Sequence, residues 1–145
     1  MKLLDTPKKA DYGWFALFAA CTIGYSLVQD VIRPEYIGSN QSLIYLLGVL
    51  PNFLSAIGLP AIFMILIPYL TTHPYKSGKT KQKLHLVCLS VSATGLTLWE
   101  IIQLNTPYGY FDWHDLIWTY IGSGCFYLMW LMSDSRSYRV TAFGK

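Results

Sequence analysis

The sequence has little charge: Asp, Glu, Lys and Arg make up 13% of its 145 residues, against roughly 25% in an ordinary soluble domain. It has only three cysteines, Cys21, Cys88 and Cys125, and each lies inside an apolar run, which excludes the disulfide framework of a small secreted protein. It also lacks a nucleophile elbow, a phosphate-binding glycine loop and a Ser/His/Asp constellation. These absences argue against a water-soluble globule and against covalent catalysis.

Hydrophobic residues make up 53% of the sequence and are gathered in long stretches with almost no charge. The apolar core of a bilayer is roughly 30 Å thick, and a helix needs about 20 apolar residues to cross it. Helices are favoured there because every backbone amide must find its hydrogen-bond partner within its own segment. The sequence therefore predicts an all-α, polytopic membrane protein with one domain of four transmembrane helices, over residues 12–29, 52–70, 84–104 and 116–133.

The stretch that contains the second predicted span is too long for one helix and too short for two, since about 37 residues from Tyr36 to Thr72 carry no charge. Pro51 divides it, because proline lacks an amide donor and disfavours helical geometry at the residue before it. We therefore expect a short interfacial or re-entrant helix over Ser42 to Leu50, followed by the second span. One long tilted helix is the alternative.

The basic residues predict how the chain is oriented in the membrane. In the predicted topology, ten of the 11 basic residues lie on the same side of the membrane, and Arg33 alone lies on the other side. The others are Lys2, Lys8, Lys9, Lys76, Lys79, Lys81, Lys83, Arg136, Arg139 and Lys145. Because basic residues beside spans are retained in the cytoplasm, both termini are expected on the cytoplasmic side of the cell membrane (the cytoplasmic or inner membrane). This role accounts for the basic clusters, so no nucleic-acid partner is expected.

Glu100 is the acid inside a predicted span, and an acid at that position is costly enough to indicate a function. Gln103, three residues further on, lies on the same helix face. A turn that contains Pro107 and Gly109 joins the third and fourth spans. Because this connection is short, the outer ends of the two spans are expected to be adjacent.

This adjacency predicts one polar site at the outer end of the helices. Asp112 and Asp115 follow the turn and come near Glu100, and Asn52 at the outer start of the second span can face the same region. The candidate ligand-binding residues are Glu100, Gln103, Asp112, Asp115 and Asn52.

Several of these residues also have a purely structural interpretation. Glu100 can reach the solvated interface from a shallow position. Asp112 can cap the fourth helix, with Asp115 near the positive end of its dipole, and Asn52 can cap the second. These alternatives stay open at the level of sequence.

No metal site and no cofactor are expected. His114 lies between two aspartates, which is too weak a pattern for a metal site. His85, at the inner end of the third span, is expected at the membrane interface.

The segment Glu100-Ile-Ile-Gln103, followed by a turn and Phe111-Asp112-Trp113-His114-Asp115, resembles VanZ-like membrane proteins. This family of small multi-span proteins is named from a teicoplanin-resistance accessory protein, and the likeness covers about 30 residues. The residues that fit its pattern are Glu100, Gln103, Asp112, Asp115 and Gly122. Gly109 stands where the family has a loop arginine, and Thr119 replaces an asparagine. Arg33, the only basic residue on the outer side, could substitute for that arginine.

The resemblance and the cluster of carboxylates together suggest three kinds of function. The first is an envelope protein that binds membrane lipid or a lipid-linked or amphipathic molecule, such as a glycopeptide antibiotic, and so contributes to antibiotic resistance. The second is a membrane enzyme in which Glu100 and an aspartate act as base and acid on a lipid. The third is a non-catalytic membrane partner or immunity-type subunit, or a homo-oligomer, whose small-residue helix faces pack against another chain.

Overall fold

The computed structural model describes residues 9–70, 78–106 and 111–142. Within these residues the chain forms helices and no strands. The first helix, α1 (Lys9–Ser26), continues through a π-helical segment (Leu27–Ile32) into a final turn (Arg33–Glu35). Three helices follow it: α2 (Gln41–Leu70), α3 (Gly78–Gln103) and α4 (Trp113–Ala142).

Four segments of these helices are long and apolar enough to cross a membrane: Tyr12–Glu35, Gln41–Ile67, Gln82–Gln103 and Trp113–Ser133. The prediction of an all-helical chain with four membrane-crossing helices is therefore confirmed. The side on which the termini lie stays a prediction. Part of the basic set on which it rests lies outside the described residues, namely Lys2, Lys8, Lys76 and Lys145.

The second helix differs from the expectation. It is one continuous helix of 30 residues that runs through Pro51 and Pro60, so the structure has no separate short helix over Ser42 to Leu50. Each proline costs a helix one backbone hydrogen bond, which a membrane span tolerates where neighbouring helices pack against it. Both prolines are buried, and the long helix is the form observed.

The start of α2 also lies earlier than predicted. Asn40 caps it, because the Asn40 Oδ1 accepts the backbone N–H groups of Ser42 at 3.1 Å and Leu43 at 3.3 Å. Asn52 therefore lies in the interior of the helix and does not cap it. Its side-chain amide is therefore available for hydrogen bonds to other helices.

The helix α2 is the central one, since it packs against α1, α3 and α4. A core cluster where α1, α2 and α4 meet contains Cys21, Ile57, Ala61 and Phe126. Cys21 is thus a small buried hydrophobic residue, as expected from its place in an apolar run.

A glycine allows α2 and α4 to come very close together. A Cβ atom on Gly122 would lie 2.6 Å from the backbone oxygen of Phe53 and 2.9 Å from the Cβ of Ala56. Asn52 precedes Phe53 on α2, and Asp115 lies about two turns before Gly122 on α4. The close contact therefore helps to set the separation of two polar side chains at the end of the bundle.

Candidate functional site

An open cleft of about 410 Å³ lies at the Glu100 end of the bundle, between the last turns of α1 and helices α2, α3 and α4. Its apolar lining includes Pro51, Trp99 and Ile102. Its polar lining includes Gln29, Arg33, Asn52, Glu100, Gln103 and Asp115. We refer to this hollow as the polar cleft.

Glu100 is the most deeply buried acid of the polar cleft, with 3% of its surface exposed. Its Oε1 accepts hydrogen bonds from Asn52 Nδ2 and Gln103 Nε2, each at 3.4 Å. Its Oε2 is buried and has no hydrogen-bond partner among the residues that the structure describes. Because buried carboxylate oxygens are normally paired, this atom is an acceptor that lacks a donor in the wall of the cleft.

Asp115 supplies a second carboxylate to the polar cleft from the first turn of α4. It is partly buried, and the Asn52 side chain interacts with it as well as with Glu100. The two carboxylates repel each other electrostatically. Asn52 therefore lies between two acidic side chains on the same side of the cleft.

Asp112 has a different role. Its side chain is 53% exposed and lies outside the lining of the polar cleft. The Asp112 Oδ1 accepts the backbone N–H of His114 at 2.8 Å and contacts the His114 Nδ1 at the same distance. Asp112 is thus the N-cap of α4, the structural alternative that its position in the sequence had left open.

The capping bonds lower the pKa of Asp112, chiefly through the His114 backbone N–H and then through the His114 side chain. A depressed folded-state pKa contributes stability above the unfolded pKa, roughly 4, and that contribution is lost as the pH falls further. We expect Asp112→Asn to keep the cap and remove this acid-dependent loss, and Asp112→Ala to lose about 1 kcal/mol at neutral pH. Unfolding of the detergent-solubilised protein between pH 3 and 7 measures both effects. Parallel pH profiles for wild type and Asp112→Asn would contradict the assignment.

Arg33 brings a positive charge to the same cleft. Its Nη1 donates a hydrogen bond to Gln29 Oε1 at 3.2 Å, and its charge attracts that of Asp115. Among the residues that the structure describes, no carboxylate lies within 4 Å of the guanidinium. Arg33 therefore lies in the lining of the polar cleft, and its other N–H groups are available to a ligand.

The π-helical segment explains why Arg33 lies there. The first span was predicted to end at Gln29, but the helix continues through Leu27–Ile32 and Arg33–Glu35. π-helical turns are rare in proteins, and those that occur are often found at functional sites. No residue pattern in the sequence indicated this one.

The structure brings together four of the five candidate residues: Glu100, Gln103, Asn52 and Asp115. Asp112 is not among them, and the prediction missed Gln29 and its bond to Arg33. The turn with Pro107 and Gly109, on which the predicted adjacency rested, lies outside the described residues. Within the described ranges, no group of three or more His, Cys, Asp or Glu residues could hold a metal ion.

Comparisons of this chain with protein-family models, with curated proteins and with solved structures found no match.

Proposed function

We propose that this chain is a VanZ-like integral membrane protein of the cell envelope whose polar cleft binds the polar group of a lipid-linked or amphipathic molecule. The observation that carries the proposal is the Glu100 side chain. It is almost fully buried, it lines an open cleft, and one of its oxygens has no hydrogen-bond partner in the described ranges. A donor group brought by a ligand would satisfy this oxygen.

The depth of the cleft supports a ligand of this class. Glu100 and Gln103 are in the last turn of α3, and Asp115 is in the first turn of α4. Both places are at the ends of membrane-crossing segments, where tryptophans such as Trp99 sit at the level of the lipid head groups. With both termini in the cytoplasm, as the basic residues favour, the cleft opens toward the outer leaflet.

The charge of the cleft favours a cationic or donor-rich ligand. Two acidic side chains and one guanidinium line the site, so acidic groups outnumber basic ones there. Glycopeptide antibiotics with lipid tails are amphipathic and rich in hydrogen-bond donors. Their retention at the membrane surface is the protective role that we propose.

A lipid-modifying enzyme is the second candidate function. The observation in its favour is that two carboxylates in different environments share the cleft, Glu100 nearly fully buried and Asp115 partly exposed. Such a pair can divide the roles of acid and base. Asp112 is no longer a candidate for either role, because it caps α4 on the exposed surface.

The proposed binding is tested with a fluorescent lipoglycopeptide and the purified protein in nanodiscs of neutral lipid. Glu100→Gln keeps the shape of the side chain and removes its charge. We expect about tenfold weaker binding, because a hydrogen bond to a charged group contributes about 1.5–3 kcal/mol. The same variants expressed in a susceptible bacterium report whether binding protects the cell.

Glu35→Gln is the matched control. Glu35 is an exposed acid in the final turn of α1 and is not part of the cleft lining. It should bind and protect as the wild type does. Equal binding by wild type and Glu100→Gln, together with equal susceptibility of cells carrying vector, wild type or variant, would overturn the proposal.

A further inference from the structure

We infer that the polar cleft takes a zwitterionic phosphoethanolamine group, with its ammonium at Glu100 and Asp115 and its phosphate at Arg33. This inference rests on the proposed function and names the chemistry of the ligand. The shared chemistry belongs both to an aminophospholipid and to a water-soluble glycerophosphoethanolamine. The experiment below separates these two sources.

Opposite charges come to the cleft from different helices. Glu100 and Asp115 come from α3 and α4, whereas Arg33 comes from the final turn of α1. In the described part of the chain, the guanidinium has no carboxylate within 4 Å. The charges thus remain available to a ligand that carries both signs, and the excess of carboxylates disfavours a ligand that carries only negative charge.

The hydrogen-bonding groups select the form of the cation. The unpartnered Oε2 of Glu100 needs a donor, and the Asp115 carboxylate lines the same cleft. A primary ammonium has three N–H donors, whereas a trimethylated ammonium has none. The site should therefore prefer ethanolamine to choline.

Arg33 is suited to the phosphate. An arginine has five N–H donors in a planar fork that matches phosphate oxygens. The structure shows one bond from this group, to Gln29, which orients the side chain. Pro51, Trp99 and Ile102 give the cleft an apolar wall, where the glycerol and upper acyl chains of a lipid can lie.

The test measures lipid binding to the full chain in a neutral detergent by native mass spectrometry. Short-chain phosphatidylethanolamine, phosphatidylcholine and phosphatidylglycerol are titrated separately. We expect one phosphatidylethanolamine per chain, bound about tenfold more tightly than phosphatidylcholine, because the choline cannot donate to the carboxylates. Glycerophosphoethanolamine is added as a competitor: if it displaces the lipid at equal concentration, the ligand is the free head group, and if it does not, the ligand is the lipid.

Two variants address the two ends of the zwitterion. Glu100→Gln and Arg33→Gln should each weaken phosphatidylethanolamine binding about tenfold, and Glu100→Gln should also abolish the preference over phosphatidylcholine. Arg33 is exposed, so its replacement tests the site in a folded protein. Glu35→Gln, which removes an acid outside the cleft, should change neither affinity nor preference.

Equal affinities of the wild type for the ethanolamine and choline lipids would overturn the inference. If the lipoglycopeptide still bound in a Glu100-dependent way, the proposed function would stand and only the ligand class would fall. If Glu100→Gln changed the binding of no probe, both would fall.

Discussion

Replacing Gly122 by alanine is expected to lower the free energy of unfolding by about 1–3 kcal/mol, the usual cost of overpacking a tight core. The added Cβ would lie 2.6 Å from the Phe53 carbonyl oxygen. That oxygen belongs to the backbone of α2, so the clash cannot be relieved by a side-chain rotation. The two helices must instead move apart.

Gly124→Ala provides the matched control, because it makes the same change two residues away. A Cβ on Gly124 meets nothing within 4 Å, and alanine is favoured over glycine in a helix by about 1 kcal/mol. Gly124→Ala should therefore be neutral or stabilising, opposite in sign to Gly122→Ala. Denaturant unfolding in mixed micelles, followed by circular dichroism, measures both. Equal effects of the two substitutions would show that α2 and α4 do not make the close contact described above.

The separation of α2 and α4 in Gly122→Ala should also change the geometry of the polar cleft. Asn52 on α2 donates a hydrogen bond to Glu100 and interacts with Asp115, and Asp115 lies on the helix that Gly122→Ala pushes away. We therefore expect weaker ligand binding by this variant than its stability loss alone would produce. The close approach of α2 and α4 gives a glycine at position 122 a physical reason.

The membrane-crossing helices could be predicted from the sequence because bilayer thickness sets their length independently of packing. The third span, predicted over residues 84–104, is observed as Gln82–Gln103. The prediction was wrong where a local rule was applied to one residue. Pro51 does not end a helix, since packing in the bundle outweighs the loss of one hydrogen bond. The first helix does not end at Gln29 either, because a charged residue such as Asp30 near the interface is compatible with helix.

The polar cleft could be predicted only in part. Glu100 and Gln103 are three residues apart on one helix, so their closeness follows from the sequence alone. The bond between Asn52 and Glu100 depends on how α2 and α3 are rotated about their axes, and hydropathy carries no information on that rotation. The place of Arg33 depends on an unanticipated π-helical segment. For Asp112 the sequence left a shared site and a helix cap open, and the structure shows the cap.

His85 lies in an unusual environment at the other end of α3. It is 0% exposed, contrary to the expectation of an interfacial position, and neither ring nitrogen has a hydrogen-bond partner within residues 9–70, 78–106 and 111–142. Its ring stacks on that of Trp130, with centroids 4.2 Å apart and planes at 12°, and on that of Phe126 at 5.2 Å and 17°. The ring is therefore well packed, whereas its polar atoms are not satisfied.

We expect His85→Phe to raise the free energy of unfolding by about 1–3 kcal/mol, the cost of a buried polar group left unpaired. Phenylalanine keeps a flat ring for stacking on Trp130 and Phe126 and removes both nitrogens. His85→Leu is the control, since it also removes the nitrogens but cannot stack. It should be less stable than His85→Phe by at least about 0.5–1.5 kcal/mol, the contribution of an aromatic pair.

Denaturant unfolding in the same mixed micelles compares wild type and the two variants. His85 and Glu100 are about 22 Å apart along α3, so both variants should keep the lipid preference of the wild type. A fall in stability for His85→Phe as large as that for His85→Leu would mean that the imidazole nitrogens are paired in the folded protein. The benefit of the histidine would then lie in its hydrogen bonds, and the aromatic stack would be secondary.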